Sequence, residues 1–149
     1  MKTSRPLLPL LLLLLTAFAL APVPRAAHAQ HTPRPGSKER KALMDAARVP
    51  VQKQLKKPVI FKVDALKVQG AWAFLRGVPL QPNGKPMDYK GTIYEESIRE
   101  GAFSGMVCAL MKREKGKWKV VDYAIGPSDV AWDDWDKRYG APSSIFKVD

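Results

Sequence analysis

Residues 59–78 read Val59-Ile60-Phe61-Lys62-Val63-Asp64-Ala65-Leu66-Lys67-Val68-Gln69-Gly70-Ala71-Trp72-Ala73-Phe74-Leu75-Arg76-Gly77-Val78. Val59, Phe61 and Val63 alternate with Ile60, Lys62 and Asp64, which is the two-residue period of a strand with one buried face. Leu66 and Val68 then fall on the opposite parity. A bulge near Asp64-Ala65 returns all five apolar residues to one face, because one extra residue in a strand shifts its side chains by one position. Gln69-Gly70 is a turn, and the chain comes back with Trp72, Phe74 and Val78 on one face. This stretch predicts an antiparallel hairpin.

Downstream, residues 79–101 are irregular. Pro79, Pro82, Asn83-Gly84, Pro86 and Gly91 are turn residues, and a loop of this length in a small domain is a lid, a binding loop or a hairpin excursion. A second hairpin is predicted from residues 103–111, a turn at Glu114-Lys115-Gly116, and a return strand over 117–125. Gly126-Pro127 stops it, Ser128 caps a short helix, and Gly140 with Pro142 ends that helix. Ile145 and Phe146 are expected to dock as a last extended piece.

Upstream, Ser37 is an N-cap, and Leu43, Ala47, Val51 and Leu55 recur every four residues as one stripe of an amphipathic helix. Pro50 lies inside the stripe and is expected to kink the helix or divide it, since proline lacks an N–H and its ring collides with the preceding turn. Pro58 marks the exit. The order predicts a single α+β domain over residues 37–149: a kinked N-terminal helix packed on a curved antiparallel sheet of about four strands, with a short C-terminal helix.

Residues 1–29 read as a secretory signal peptide. Lys2 and Arg5 form a positive start, residues 7–21 are apolar apart from Pro9 and Thr16, and Ala27-His28-Ala29 offers small residues for cleavage after Ala29. The apolar stretch is shorter than the roughly 20 residues a bilayer span needs, so no transmembrane anchor is expected after cleavage. The expected destination is the periplasm first, with the medium as the alternative. The tail His31-Thr32-Pro33-Arg34-Pro35-Gly36 makes residues 30–36 an expected disordered lead-in.

The chain has 149 residues, a formal net charge of +11, one Cys and two His. That length excludes a multi-domain enzyme. Without Lys2, Arg5 and Arg25, 22 basic residues face 14 acidic ones, a formal +8. His31 is then the one histidine left, which argues against Ser-His-Asp and Cys-His hydrolysis and against the usual zinc sites. Cys108 lies mid-strand with no base in reach and reads as a small buried hydrophobe. No cofactor, metal site or catalytic set is expected. Asp129, Asp133, Asp134 and Asp136 lack a calcium-loop pattern and read as acids at a helix start. Trp132, Trp135 and Tyr139 share one side of that helix and are expected to anchor it on the sheet, stacking on sugar rings being the alternative.

The one weak catalytic candidate is Asp122. At strand spacing it shares a face with Trp118 and Val120, and a pocket there would desolvate its carboxyl as general acid–base chemistry requires. The basic excess sits in two places. Residues 38–67 hold nine Lys or Arg against Glu39, Asp45 and Asp64, and residues 112–119 hold five positive charges against Glu114. Lys53, Lys56, Lys57, Lys62 and Lys67, with Trp72 and Trp118, are the candidate ligand- or partner-binding residues. A cationic face suits an acidic envelope component or an acidic protein partner; no nucleic-acid motif is present. Residues 103–111 are apolar on both parities, which fits a homodimer joined through its sheets.

Phe61-x-Val63, Trp72-Ala73-Phe74, Gly116-x-Trp118-x-Val120 and Pro127-Ser128-Asp129-Val130-Ala131-Trp132 together resemble a set of small uncharacterised exported bacterial proteins, and the element order is similar to the cystatin-like and NTF2-like group. The resemblance covers most of residues 38–146 and implies a helix against a curved antiparallel sheet, with the simpler cystatin-like variant favoured. It implies no catalytic residue, because that group spans binding modules, inhibitors and enzymes. The expected function is a non-enzymatic exported domain that binds an envelope component or partner through a basic face. The alternatives are a small NTF2-like enzyme using Asp122 and a structural dimerisation module.

Overall fold

The structure is a computed structural model, and it describes residues 28–148. Most of the expected leader therefore lies outside the described residues. Helix α1 spans Lys38–Leu55, followed by strands β1 (Ile60–Gln69) and β2 (Trp72–Leu80), helix α2 (Glu95–Arg99), strands β3 (Val107–Glu114) and β4 (Lys117–Ile125), helix α3 (Trp135–Tyr139) and a 3₁₀ turn, Ser143–Phe146. The strands form one antiparallel sheet in the order β1-β2-β3-β4. The expected α+β class, a helix on a curved four-stranded sheet with a short C-terminal helix, is the one observed.

Ser37 caps α1, its hydroxyl accepting from the Arg40 amide at 3.1 Å. Leu43, Met44, Ala47, Val51 and Leu55 are the buried stripe. The expected division at Pro50 does not occur, for α1 is continuous over 18 residues. Pro50 removes one ladder bond, but Val51 and Leu55 beyond it are buried against Val59, Val107 and Ile125, and that packing holds the last turns in place.

The bulge in β1 falls where the parity change places it. Val63 pairs Gly77 and Ala65 pairs Arg76, with Asp64 the extra residue. Phe61, Val63, Leu66 and Val68 thereby all pack toward α1. The second hairpin closes through Lys115-Gly116, with φ of 49° and 76°. Two positive φ values in a two-residue loop define the type I′ turn, whose twist matches that of paired strands.

Three expectations change. Residues 30–36 are not a loose lead-in: the His31 and Val68 amides and carbonyls bond reciprocally at 2.9 and 2.8 Å, Pro33 is buried, and the His31 Nε2 lies 2.9 Å from Glu39. The C-terminal helix is shorter than the sequence suggested. It starts at Trp135, and Ser128 does not cap it. Residues 103–106 precede β3 instead of forming its start. Phe103 leaves the sheet to pack with Tyr89 and Tyr94, at ring-centre distances of 4.7 and 5.5 Å.

Residues 107–111 are all buried because both faces of the sheet are covered. Leu66, Val68, Ala73, Leu75, Ala109 and Met111 face α1. Phe74, Cys108 and Leu110 face the C-terminal segment, where Trp135, Ala141 and Ile145 close over them. Phe74 is the hub, 5.3 Å from Trp132, 6.3 Å from Trp135 and 5.1 Å from Phe146. Trp132 and Trp135 thus anchor the segment. The two-parity apolar run that motivated a sheet-to-sheet dimer is accounted for within the chain itself.

Candidate functional site

The register of the sheet decides which charged residues meet. Trp72 pairs Lys112 across β2 and β3, and Lys112 pairs Lys119 across β3 and β4. Cross-strand neighbours point to the same face, so Trp72, Lys112 and Lys119 form one row on the face that carries the C-terminal segment. The Lys112 ammonium lies 5.0 Å from the Trp72 ring centre. One residue further out, Arg113 pairs Trp118 on the α1 face, its guanidinium 5.4 Å from the indole centre. Cations at such distances are attracted to the negative faces of the rings.

Lys115 and Lys117 are exposed at the tip, and Glu114, 3.7 Å from Lys119, is the single acid of the run. Lys67 belongs to the same end of the sheet, but its ammonium is held by the backbone carbonyl of Lys147. The site is therefore a hairpin end bearing Lys112, Arg113, Lys115, Lys117 and Lys119, with one half-buried indole on each face.

The structure separates the other candidates from this end. Helix α1 runs from Leu43, which packs in the cluster of Val68 and Met111, to Leu55, in that of Val59 and Ile125, so Lys53, Lys56 and Lys57 sit at the opposite end. Lys57 is tied to the carbonyls of Asp88 and Lys90 at 2.6 and 3.1 Å. Lys62 pairs Val78 and lines an open groove of about 260 Å³ with Asp64, Arg76 and Met106, where Arg76 is ion-paired to Asp64. The residues 112–119 carried the signal in the sequence as a charge run. What the sequence lacked was the register that sets Trp72 and Trp118 beside them.

Asp122 does not share a face with Trp118 and Val120. Met111 pairs Val120 and Leu110 pairs Asp122, leaving Val121 as a bulge. Trp118 and Val120 face α1, whereas Asp122 meets the C-terminal segment. Its Oδ2 accepts from the Tyr139 hydroxyl at 2.7 Å and from Arg138 Nη1 at 3.3 Å, and its Oδ1 from the Tyr123 amide at 2.8 Å. Both oxygens are engaged, Oδ2 in fastening α3 to the sheet and Oδ1 on the backbone of β4 itself. The parity switch from Trp118 and Val120 to Tyr123 and Ile125 is the same signal that locates the bulge in β1, and it would have found this one.

Cys108 is fully buried, and that burial pushes its thiol up to about 12. A thiol held in its neutral form is a poor nucleophile at neutral pH. Among the described residues, no group of three or more His, Cys, Asp or Glu could hold a metal ion, and no helix is long and apolar enough to cross a membrane. Asp134 is paired with Arg138 at 2.6 Å, and Asp129 and Asp136 bond the amides that follow them. Comparisons with protein-family models, curated proteins and solved structures return no match.

Proposed function

We propose that this chain is a non-enzymatic exported binding domain, and that its ligand is a polyanionic envelope component held by the β3–β4 hairpin end. One observation carries the reading: the hairpin end bears five cations and an indole on each face of the sheet against a single acid. Lys112 and Lys119 stand directly opposite each other in register. Like charges so placed destabilise an antiparallel pair, and a bound anion relieves that repulsion. The cystatin-like element order is compatible with a binding module and adds no activity of its own.

The probe is inorganic polyphosphate, and the variant is Lys115→Asn with Lys117→Gln; asparagine tolerates the left-handed conformation of residue 115. Binding is expected to weaken steeply as salt shortens the screening length and to fall in the variant. It is expected to be unchanged in Lys53→Gln with Lys56→Asn, at the far end of α1. Binding that ignores both salt and the hairpin variant overturns the proposal.

A further inference from the structure

We infer that the polyanion met by the hairpin end is the phosphate surface of an anionic lipid bilayer, approached end-on with the strands pointing toward the membrane. The inference rests on the reading above and goes further by naming the surface. Its ground is the placement of the two tryptophans. Trp72 lies on the face of the sheet that carries the C-terminal segment, and Trp118 on the face that carries α1. Their cross-strand partners, Lys112 and Arg113, are consecutive residues of β3.

The two indoles therefore stand at nearly the same height, within about 3.4 Å along the strand axis, but on opposite sides of one sheet. A single sugar ring can stack against one of them and not the other. Only an extended surface met by the end of the hairpin reaches both. Tryptophan suits such a boundary, since its ring is apolar and its N–H polar, and it concentrates at the headgroup level of bilayers. Arginine and lysine stems extend along apolar surface while their charges reach the phosphates.

Charge complementarity points the same way. Lys115 and Lys117 at the tip, with Arg113 one register pair behind and Lys112 and Lys119 two pairs behind, form a set of the kind that anionic leaflets attract. An attraction carried by these charges is expected to be reversible by salt.

The test is co-sedimentation with two kinds of vesicle, phosphatidylcholine alone and equal parts phosphatidylcholine and phosphatidylglycerol. Expression with residues 1–29 in place yields the chain as the cell leaves it. Wild type and variants then carry the same N-terminus, and the difference between them reads the hairpin. Wild type is expected to sediment with the mixed vesicles only. Lys115→Asn with Lys117→Gln is expected to bind roughly 25-fold more weakly, about fivefold for each charge removed. Brominated acyl chains are expected to quench tryptophan emission in wild type and not in Trp72→Phe with Trp118→Phe, whose fold is checked by circular dichroism. Should that pair fail to fold, the lysine variant carries the test alone.

Binding to polyphosphate without preference for anionic vesicles overturns the membrane inference and leaves the binding reading standing. Failure to bind either probe overturns both. Vesicle binding with no quenching in wild type overturns the end-on placement of the indoles.

Discussion

The Tyr139 hydroxyl donates to Asp122 Oδ2 at 2.7 Å, joining the last helix to the edge strand β4. This bond, with the Arg138 contact beside it, turns the most reactive-looking carboxylate of the sequence into a fastening. Tyr139→Phe removes one hydrogen bond to a charged acceptor and is expected to lower stability by about 1.5–3 kcal/mol, read as a lower urea midpoint at unchanged slope. Polyphosphate binding is expected to survive, because the bond lies away from the hairpin tip. Loss of binding in a variant that remains folded would place Asp122 or Tyr139 in the site.

Gly126 has a φ of 63°, and a Cβ built on it would lie 1.8 Å from the Phe103 ring. Gly126→Ala thus meets both backbone strain and a clash, and is expected to destabilise by at least about 1 kcal/mol. Adding Phe103→Ala removes the clash and leaves the strain. The double variant should therefore lose less stability than the sum of the separate losses, which a double-mutant cycle in urea measures.

Tyr89 has a buried hydroxyl without a hydrogen-bond partner among the described residues, and burial pushes its pKa up to about 12. The raised value means that the folded state holds the phenol proton after the unfolded chain has released it. Stability from this group is fully present below about pH 10 and is lost as pH rises toward 12. Tyr89→Phe is expected to flatten that alkaline loss and, by removing an unpaired hydroxyl, to leave stability at neutral pH unchanged or higher. A steeper alkaline decline in the variant would contradict the assignment.

Cys108, buried and neutral, is expected to resist thiol reagents in the native protein and to react only with the rate of unfolding. Labelling followed by mass spectrometry, with and without urea, measures it. Rapid native labelling would show that the C-terminal segment opens readily from the sheet.

Much of the fold was legible because its signals are local. The stripe of α1, the Ser37 cap and the bulge at Asp64 each follow from spacing within a few residues. The candidate site was legible only in part. Lys112 to Lys119 stood out as a charge run, but Trp72 lies some forty positions earlier, and only the β2–β3 register brings it to Lys112. The expected freedom of residues 30–36 failed for a related reason. Prolines and a glycine describe a chain with little structure of its own, and His31 acquires its partner from the open edge of β1.

By itself, then, the sequence determined the elements, their order and the side of α1 that is buried, since hydrophobic periodicity and capping act over one or two turns of chain. The tertiary structure alone decided which charges stand together and that both sides of β3 are covered, and it fixed the face of Asp122, which the parity switch in β4 only signals. Those outcomes depend on strand register and on a bulge at Val121. A shift of one residue in either exchanges the two faces of a strand, and no local preference of the side chains is strong enough to set it.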